Sequence, residues 1–177
     1  MLKIVLLCLF SLLASQAWAQ LVLNQEPPLV ELHGELGGRL DGSAWSSREI
    51  SGVVSTLMYV DPDAKGWNRS VEQALADAHF PQGEFKSIAV INMAATWLPN
   101  GVIGALLQKK QERFKDTLYL KDFRKEIIRK WGVRDDSYNV LAFDRRGRLI
   151  FYRAGKLSAT EVDGLVTLIR SKLRPRP

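Results

Sequence analysis

Two aspartates in one short loop are the strongest candidates in this sequence for metal binding or acid–base catalysis. Asp61 and Asp63 directly follow an apolar run. Together with Gly66 and Glu72 they match positions 1, 3, 6 and 12 of a calcium-binding loop. Lys65, however, puts a cation where such a loop needs an oxygen ligand. Paired carboxylates can also act as acid and base when their surroundings separate their pKa values.

Aromatic residues near these acids indicate a second kind of site. Trp67 and Trp97 lie in loops at the carboxyl ends of predicted strands, where open α/β sheets bind ligands. With Asp61, Asp63 and Tyr138 they form the predicted ligand-binding surface. An amphipathic groove there would suit an extended peptide or a small apolar ligand.

The sequence offers few residues for thiol, histidine–metal or nucleotide-binding sites. The sequence has one cysteine, Cys8, and two histidines, His33 and His79, which no short spacing pairs as metal ligands. It contains no P-loop, dinucleotide-binding glycine pattern or nucleophile elbow. We therefore expect no cofactor and no resident metal.

The first residues have the pattern of a secretory signal peptide. Lys3 precedes an apolar run over residues 4–13, which is too short to span a bilayer, and an A-x-A cleavage pattern ends at Ala19. Cleavage after Ala19 removes Cys8 and leaves 158 residues without cysteine. No later apolar run reaches about 20 residues, so we expect no membrane span after cleavage.

Charge is distributed unevenly along the chain. Residues 21–108 contain 5 Lys and Arg against 10 Asp and Glu, whereas residues 109–177 contain 19 against 9. A basic half attracts anionic partners. Because export argues against nucleic acid, we expect a periplasmic protein or peptide, or the anionic envelope surface. Arg145, Arg146 and Arg148 are the predicted anionic contacts.

The order of elements is predicted to be hairpin, β, α, β, α, β, α, β, β, α. Continuous apolar runs predict buried strands at residues 53–60, 87–93 and 117–120. Residues 144–147 predict a hairpin turn between two later strands, with Gly147 at a positive φ. Short strands at residues 29–32 and 36–40 predict the N-terminal hairpin.

Helix-capping residues separate these strands. Asn68 or Ser70 is expected to cap the first helix. Asp122 is expected to cap a helix that carries Phe123, Ile127 and Trp131 on one face. Residues 158–161 fit a capping box at the start of the last helix.

This order resembles the thioredoxin-like fold, a three-layer α/β architecture, in its extended form with an N-terminal β-hairpin. Residues 140–149 are similar to that superfamily's apolar strand, aspartate, turn glycine and returning strand. More narrowly, the sequence resembles the YtfJ family of exported bacterial proteins. This implies a thioredoxin-like domain, here at residues 27–173, in the periplasm of a Gram-negative bacterium, and no established activity. Residues 20–26 form a leader, and residues 174–177 a disordered tail.

The sequence departs from the redox members of that superfamily at both halves of their active site. The loop after the first central strand has no C-x-x-C pair, and Tyr138 stands near the position of their cis-proline. A cis bond before a non-proline residue costs about 3 kcal/mol, so we expect a trans bond there. The protein is therefore not expected to be a thiol-disulfide oxidoreductase.

The leading hypothesis is a non-catalytic binding module for a periplasmic peptide, a protein or an envelope component. One alternative is a non-thiol enzyme that uses Asp61 and Asp63. The other alternative is a calcium-binding loop over residues 61–72.

Overall fold

The computed structural model describes residues 20–95 and 99–173. The predicted signal peptide at residues 1–19, the predicted tail at residues 174–177 and Trp97 lie outside these ranges. None of the helices in the described ranges has both the length and the apolar character needed to cross a membrane.

Strands and helices follow one another in the predicted order. The strands are β1 (Glu31–Leu32), β2 (Gly37–Arg39), β3 (Trp45–Ser46), β4 (Val54–Val60), β5 (Phe85–Asn92), β6 (Thr117–Asp122), β7 (Tyr138–Phe143) and β8 (Leu149–Ala154). The α-helices are α1 (Arg69–Asp77), α2 (Asn100–Arg113), α3 (Glu126–Trp131) and α4 (Ala159–Lys172).

Six of these strands form one mixed sheet in the order β2-β6-β5-β4-β7-β8. β4, β5 and β6 run parallel, so their carboxyl ends lie at the same edge of the sheet. β7 pairs antiparallel with β4, and β8 pairs antiparallel with β7. A parallel βαβ part followed by an antiparallel ββα part is the predicted fold class, which the structure confirms.

The central strand β4 is buried along its whole length. Val54 and Met58 belong to a core on one face of the sheet, together with residues of α1, α2 and α4. Leu57 and Tyr59 belong to a second core on the other face, beneath α3 and the N-terminal segment. A strand covered on both faces is expected to be apolar throughout, which is why β4 was recognisable in the sequence.

The N-terminal hairpin has a different second strand from the one expected. β1 pairs antiparallel with β3, with Leu32 opposite Trp45. The predicted strand at residues 36–40 contributes β2, which instead pairs antiparallel with β6 at the edge of the large sheet. Gly37 permits this pairing, because a Cβ atom there would lie 2.0 Å from the carbonyl oxygen of Lys121.

The helix that Asp122 is expected to cap, and which would then begin at Phe123, begins three residues later, at Glu126. Phe123 therefore lies outside α3, which corrects its predicted place on the helix. The buried Asp122 carboxylate accepts hydrogen bonds from the backbone N–H groups of Glu126 at 3.0 Å and Ile127 at 3.1 Å. It thus satisfies free donors at the start of α3, as a cap does.

Three local predictions are confirmed. The Ser158 hydroxyl accepts from the backbone N–H of Glu161 at 3.3 Å, and the Glu161 carboxylate accepts from the backbone N–H of Ser158 at 2.9 Å. Gly147 has a φ of +76° in the β7–β8 turn. The peptide bond before Tyr138 is trans.

Asn68 holds the beginning of α1 against the loop that leads into α4. Its side chain makes no capping hydrogen bond to α1, contrary to expectation. It donates to the carbonyl oxygen of Gly155 at 2.8 Å and accepts from the backbone N–H of Leu157 at 2.9 Å. Because Asn68 is fully buried, both backbone groups depend on this amide.

We expect Asn68→Ala to lower the free energy of unfolding by about 2 kcal/mol, because the buried N–H of Leu157 and the partly buried carbonyl of Gly155 lose their partner. Urea denaturation measures this change. Ser70→Ala removes an exposed neighbouring side chain and should change the same quantity by less than about 0.5 kcal/mol. Equal effects of the two substitutions would contradict the role assigned to Asn68.

Candidate functional site

A groove of about 1290 Å³ lies between α1 and α2, over one face of the large sheet. β4, β5 and β6 contribute its floor, and the two helices contribute its walls. Its apolar lining includes Met58, Ala89, Ile91, Ile103, Leu106 and Leu107. The apolar lining with a few polar groups is that of a ligand-binding cleft, and the volume is larger than the roughly 300–1,000 Å³ of a small-molecule pocket.

The groove exists because the two helices pack against different neighbours. α1 packs on α4, whereas α2 packs on β6, and the groove lies between the two helices. Ile103 and Leu107 of α2 face the core. Leu106 and Val102 are 49% and 48% exposed, and of these two residues Leu106 lines the groove.

A polar link joins the two walls across the groove. The buried Tyr138 hydroxyl donates to the Glu72 carboxylate of α1 at 3.0 Å, and the other carboxylate oxygen of Glu72 lies 3.7 Å from Lys110 Nζ of α2. Burial raises the pKa of the Tyr138 hydroxyl well above its ordinary value, so this group stays a donor at neutral pH. The apolar floor of the groove therefore contains a polar group, the Tyr138 hydroxyl, held in place by its hydrogen bond to Glu72.

Basic side chains dominate the charge of the groove. The lining contains six basic residues, Lys65, Arg69, Lys86, Lys110, Arg113 and Lys115, and three acidic ones, Glu72, Glu112 and Asp116. Three of the basic residues come from the half of the sequence that has an acidic balance. Charge counts along the chain therefore missed this site, which folding assembles from both halves.

The two loop aspartates differ in environment and do not line the groove. Asp61 is buried, and its carboxylate accepts from the backbone N–H of Asp63 at 2.8 Å, whereas Asp63 is exposed. Burial raises the pKa of Asp61, and the nearby charge of Asp63 adds to this effect. Pro62 and Lys65 of the same loop do line the groove.

The arrangement does not support the calcium alternative. Glu72, the expected last ligand, is held by Tyr138 and Lys110. In the part of the chain that the structure describes, no three or more His, Cys, Asp or Glu residues form a group that could hold a metal ion.

The residues of the predicted aromatic surface differ in exposure to solvent. Trp67 is 44% exposed and lies just before α1. Tyr138, expected on the same surface, is fully buried and forms part of the groove lining. Trp97 is outside the described residues. The structure thus replaces a patch of loop residues with a groove whose floor is the sheet.

Two of the three predicted anionic contacts are already held by internal partners. Arg145 pairs with Glu84 at 2.6 Å, and Arg148 donates two hydrogen bonds to Asp144 at 2.8 and 2.6 Å. Burial opposes ionisation of Asp144, but the bonds from Arg148 outweigh it and lower the pKa of that carboxyl. Arg146 is exposed, and no described residue pairs with its guanidinium.

Comparison with known proteins gives a family and a fold. The family model described as "Bacterial protein of unknown function (YtfJ_HI0045)" matches residues 17–172. An uncharacterized protein of Haemophilus influenzae is 24% identical over 166 residues, which cover 88% of this chain and 90% of that protein. The uncharacterized protein YtfJ of Escherichia coli is 20% identical, over 73% and 72% of the two chains.

Among solved structures, the chain is similar to an exposed lipoprotein thioredoxin from Streptococcus pneumoniae. The TM-score is 0.60 with 14% identity, over 81% of this chain and 98% of that one. This likeness shows a thioredoxin-like fold. The described residues contain no cysteine, so the fold is present here without thiols.

The raised pKa of Asp61 makes stability depend on pH. The folded protein holds this proton more tightly than the unfolded chain, so the Asp61 contribution to the free energy of unfolding falls as pH rises from below 3.8 through the folded pKa. Asp61→Asn removes the buried charge and keeps an acceptor for the Asp63 N–H group. Relative to the native protein, we expect this variant to gain stability between about pH 3 and pH 7.

Urea denaturation at both pH values measures the effect. Asp163→Asn removes an exposed carboxylate on α4 and controls for a general change in net charge. A gain with pH that is equal in both variants, or none in Asp61→Asn, would contradict the assigned environment.

Proposed function

This chain belongs to the bacterial YtfJ_HI0045 family, and we propose that it is an exported, non-catalytic binding protein. Its ligand is an extended peptide segment that is apolar in the middle and acidic at its flanks. The observation that carries the proposal is the groove between α1 and α2, with an apolar floor and a basic lining.

The apolar floor supports a ligand with apolar side chains. Ile91 is half-buried and Leu106 is half-exposed in the unliganded groove, so a bound side chain would remove both from water. Burying such surface contributes about 25 cal/mol per Å². A groove between two helices is elongated, which suits an extended chain better than a compact ligand.

The basic lining supports acidic flanks. Six basic residues against three acidic ones leave a positive potential along the groove. Such a potential accelerates association with an acidic partner and weakens as salt concentration rises. The fixed donor pair of Tyr138 and Lys110 is already satisfied by Glu72, so selectivity rests on the outer charges.

Thiol exchange is not part of this function. Dithiol enzymes need two cysteines that approach each other, and the sequence contains one cysteine, Cys8. Cys8 lies within the proposed signal peptide. The carboxylate-pair alternative has no support from the groove, since neither Asp61 nor Asp63 lines it.

Export is proposed from the N-terminal sequence. A basic start, a short apolar run and the A-x-A pattern ending at Ala19 direct secretion to the periplasm and cleavage after Ala19.

A matched pair of substitutions on α2 tests the groove. Leu106→Ser removes a half-exposed apolar side chain that lines the groove, whereas Val102→Ser removes an equally exposed one that does not. The probe is a fluorescein-labelled ten-residue peptide with central leucines and aspartates at both ends. Fluorescence anisotropy should show about tenfold weaker binding for Leu106→Ser and no change for Val102→Ser.

Charge reversal provides the second arm. Lys115→Glu in the groove should weaken binding of the same peptide, and the loss should shrink at high salt. Lys172→Glu, at the exposed end of α4, is the control. Equal effects of the two reversals, or binding to phosphatidylglycerol vesicles without binding to the peptide, would contradict the peptide proposal.

Expression with a C-terminal tag in a Gram-negative host tests export. We expect a periplasmic product whose N-terminal residue is Gln20, because cleavage follows Ala19. Ala19→Arg should leave an uncleaved form attached to the membrane fraction. A cytoplasmic product that begins at Met1 would contradict export.

A further inference from the structure

A second cleft lies at the opposite end of β4 from Asp61. It has a volume of about 530 Å³ and is formed by three separate segments: residues 26–29, residues 47–51, and the β7–β8 turn at Arg146 and Gly147. It shares no lining residue with the α1–α2 groove. Ser51 of the cleft precedes β4, whereas Met58 and Val60 within β4 line the groove.

Two guanidinium groups without internal partners line this cleft. Arg48 and Arg146 are both exposed, and neither guanidinium has a hydrogen-bond or ion-pair partner among the described residues. Their neighbours contrast with them. Arg145 is paired with Glu84, and Arg148 is paired with Asp144. Arg146 is the arginine of this turn that lines the cleft.

The cleft has a rigid frame. The backbone N–H of Gly52 donates to the carbonyl oxygen of Arg145 at 2.8 Å, which fixes the turn against the segment before β4. Asp144 fixes the turn from inside by accepting from the backbone N–H groups of Arg146 at 2.9 Å and Arg148 at 3.0 Å. A Cβ atom on Gly147 would lie 3.4 Å from the Ser51 Cβ, so the two segments are in close contact.

We propose that this cleft binds a phosphate ester of a polyol. A guanidinium presents a planar fork of N–H donors, and one fork satisfies both oxygens of a carboxylate. The lone pairs of a carboxylate lie in one plane, whereas the terminal oxygens of a phosphate ester point in tetrahedral directions and can accept from two forks that approach from different sides. Arg48 and Arg146 therefore fit a phosphate better than a carboxylate.

Glu26 selects for the polyol part of the ligand. This exposed carboxylate lies in the same cleft and would repel a bare phosphate, but it can accept a hydrogen bond from a hydroxyl group next to the phosphate. Pro27 and Leu29 give the cleft an apolar side against which carbon atoms can pack. Glycerol phosphate has all three features, either free or as a phospholipid headgroup.

The test follows amide signals of the isotopically labelled protein by NMR during a titration with glycerol 3-phosphate. The signals of Arg48, Ser51 and Gly147 should shift, while those of the α1–α2 groove stay fixed. Arg48→Gln and Arg146→Gln should each raise the dissociation constant about tenfold, since each removes a charge-assisted pair of hydrogen bonds. Arg124→Gln, an exposed arginine after β6, controls for net charge.

A second arm distinguishes the two sources of the ligand. Sedimentation with phosphatidylglycerol vesicles that is lost in both cleft variants would assign the ligand to a lipid headgroup. Binding of free glycerol 3-phosphate without vesicle binding would assign it to a soluble ester. Glu26→Gln should reduce the preference for glycerol 3-phosphate over inorganic phosphate.

The proposal is overturned if glycerol 3-phosphate shifts none of the cleft signals at millimolar concentration. It is also overturned if Arg124→Gln weakens binding as much as the two cleft variants do. Circular dichroism of each variant verifies that the fold is intact. Failure of this test leaves the groove proposal untouched, because the two sites share no residue.

Discussion

Burial of β4 on both faces is the constraint on which the rest of this structure depends. Its seven residues are all buried, and burying one large apolar side chain contributes about 1.5–3 kcal/mol. Coverage of one face brings α1 and α4 to the sheet, and coverage of the other brings α3 and the N-terminal segment. The strand also adjoins both candidate sites, since Met58 and Val60 line the groove and Ser51, before its amino end, lines the cleft.

Sequence patterns predicted the features that depend on neighbouring residues. The apolar run of β4, the β7–β8 turn and the capping box at Ser158 each rely on residues a few positions apart. Features that depend on distant partners were missed. Asn68 bonds to groups 87 and 89 residues away, and β2 finds its partner in β6. The groove could not be predicted because it results from α1 and α2 packing on different neighbours.

The same distinction explains the arginines. Arg145, Arg146 and Arg148 are equivalent in a charge count, but Arg145 pairs with Glu84, which is 61 residues away. Only the folded structure shows that Arg146 lines the cleft, together with Arg48 from the other half of the chain. The binding that we propose for this thioredoxin-like fold, whose described residues contain no cysteine, is then distributed between a basic apolar groove and this cleft. Neither site is lined by Asp61 or Asp63, the loop aspartates that the sequence pattern singles out.

Mapping the bound peptide on the protein by NMR tests whether the groove between α1 and α2 is the peptide-binding site. In a two-dimensional NMR titration with the acid-flanked apolar peptide, we expect shifted amide signals for residues that line the groove, such as Leu106, Lys110 and Ile91. Signals of β1, β3 and α3, on the other face of the sheet, should not move. Shifts confined to that other face, or no shifts at millimolar peptide, would contradict a peptide-binding groove between α1 and α2.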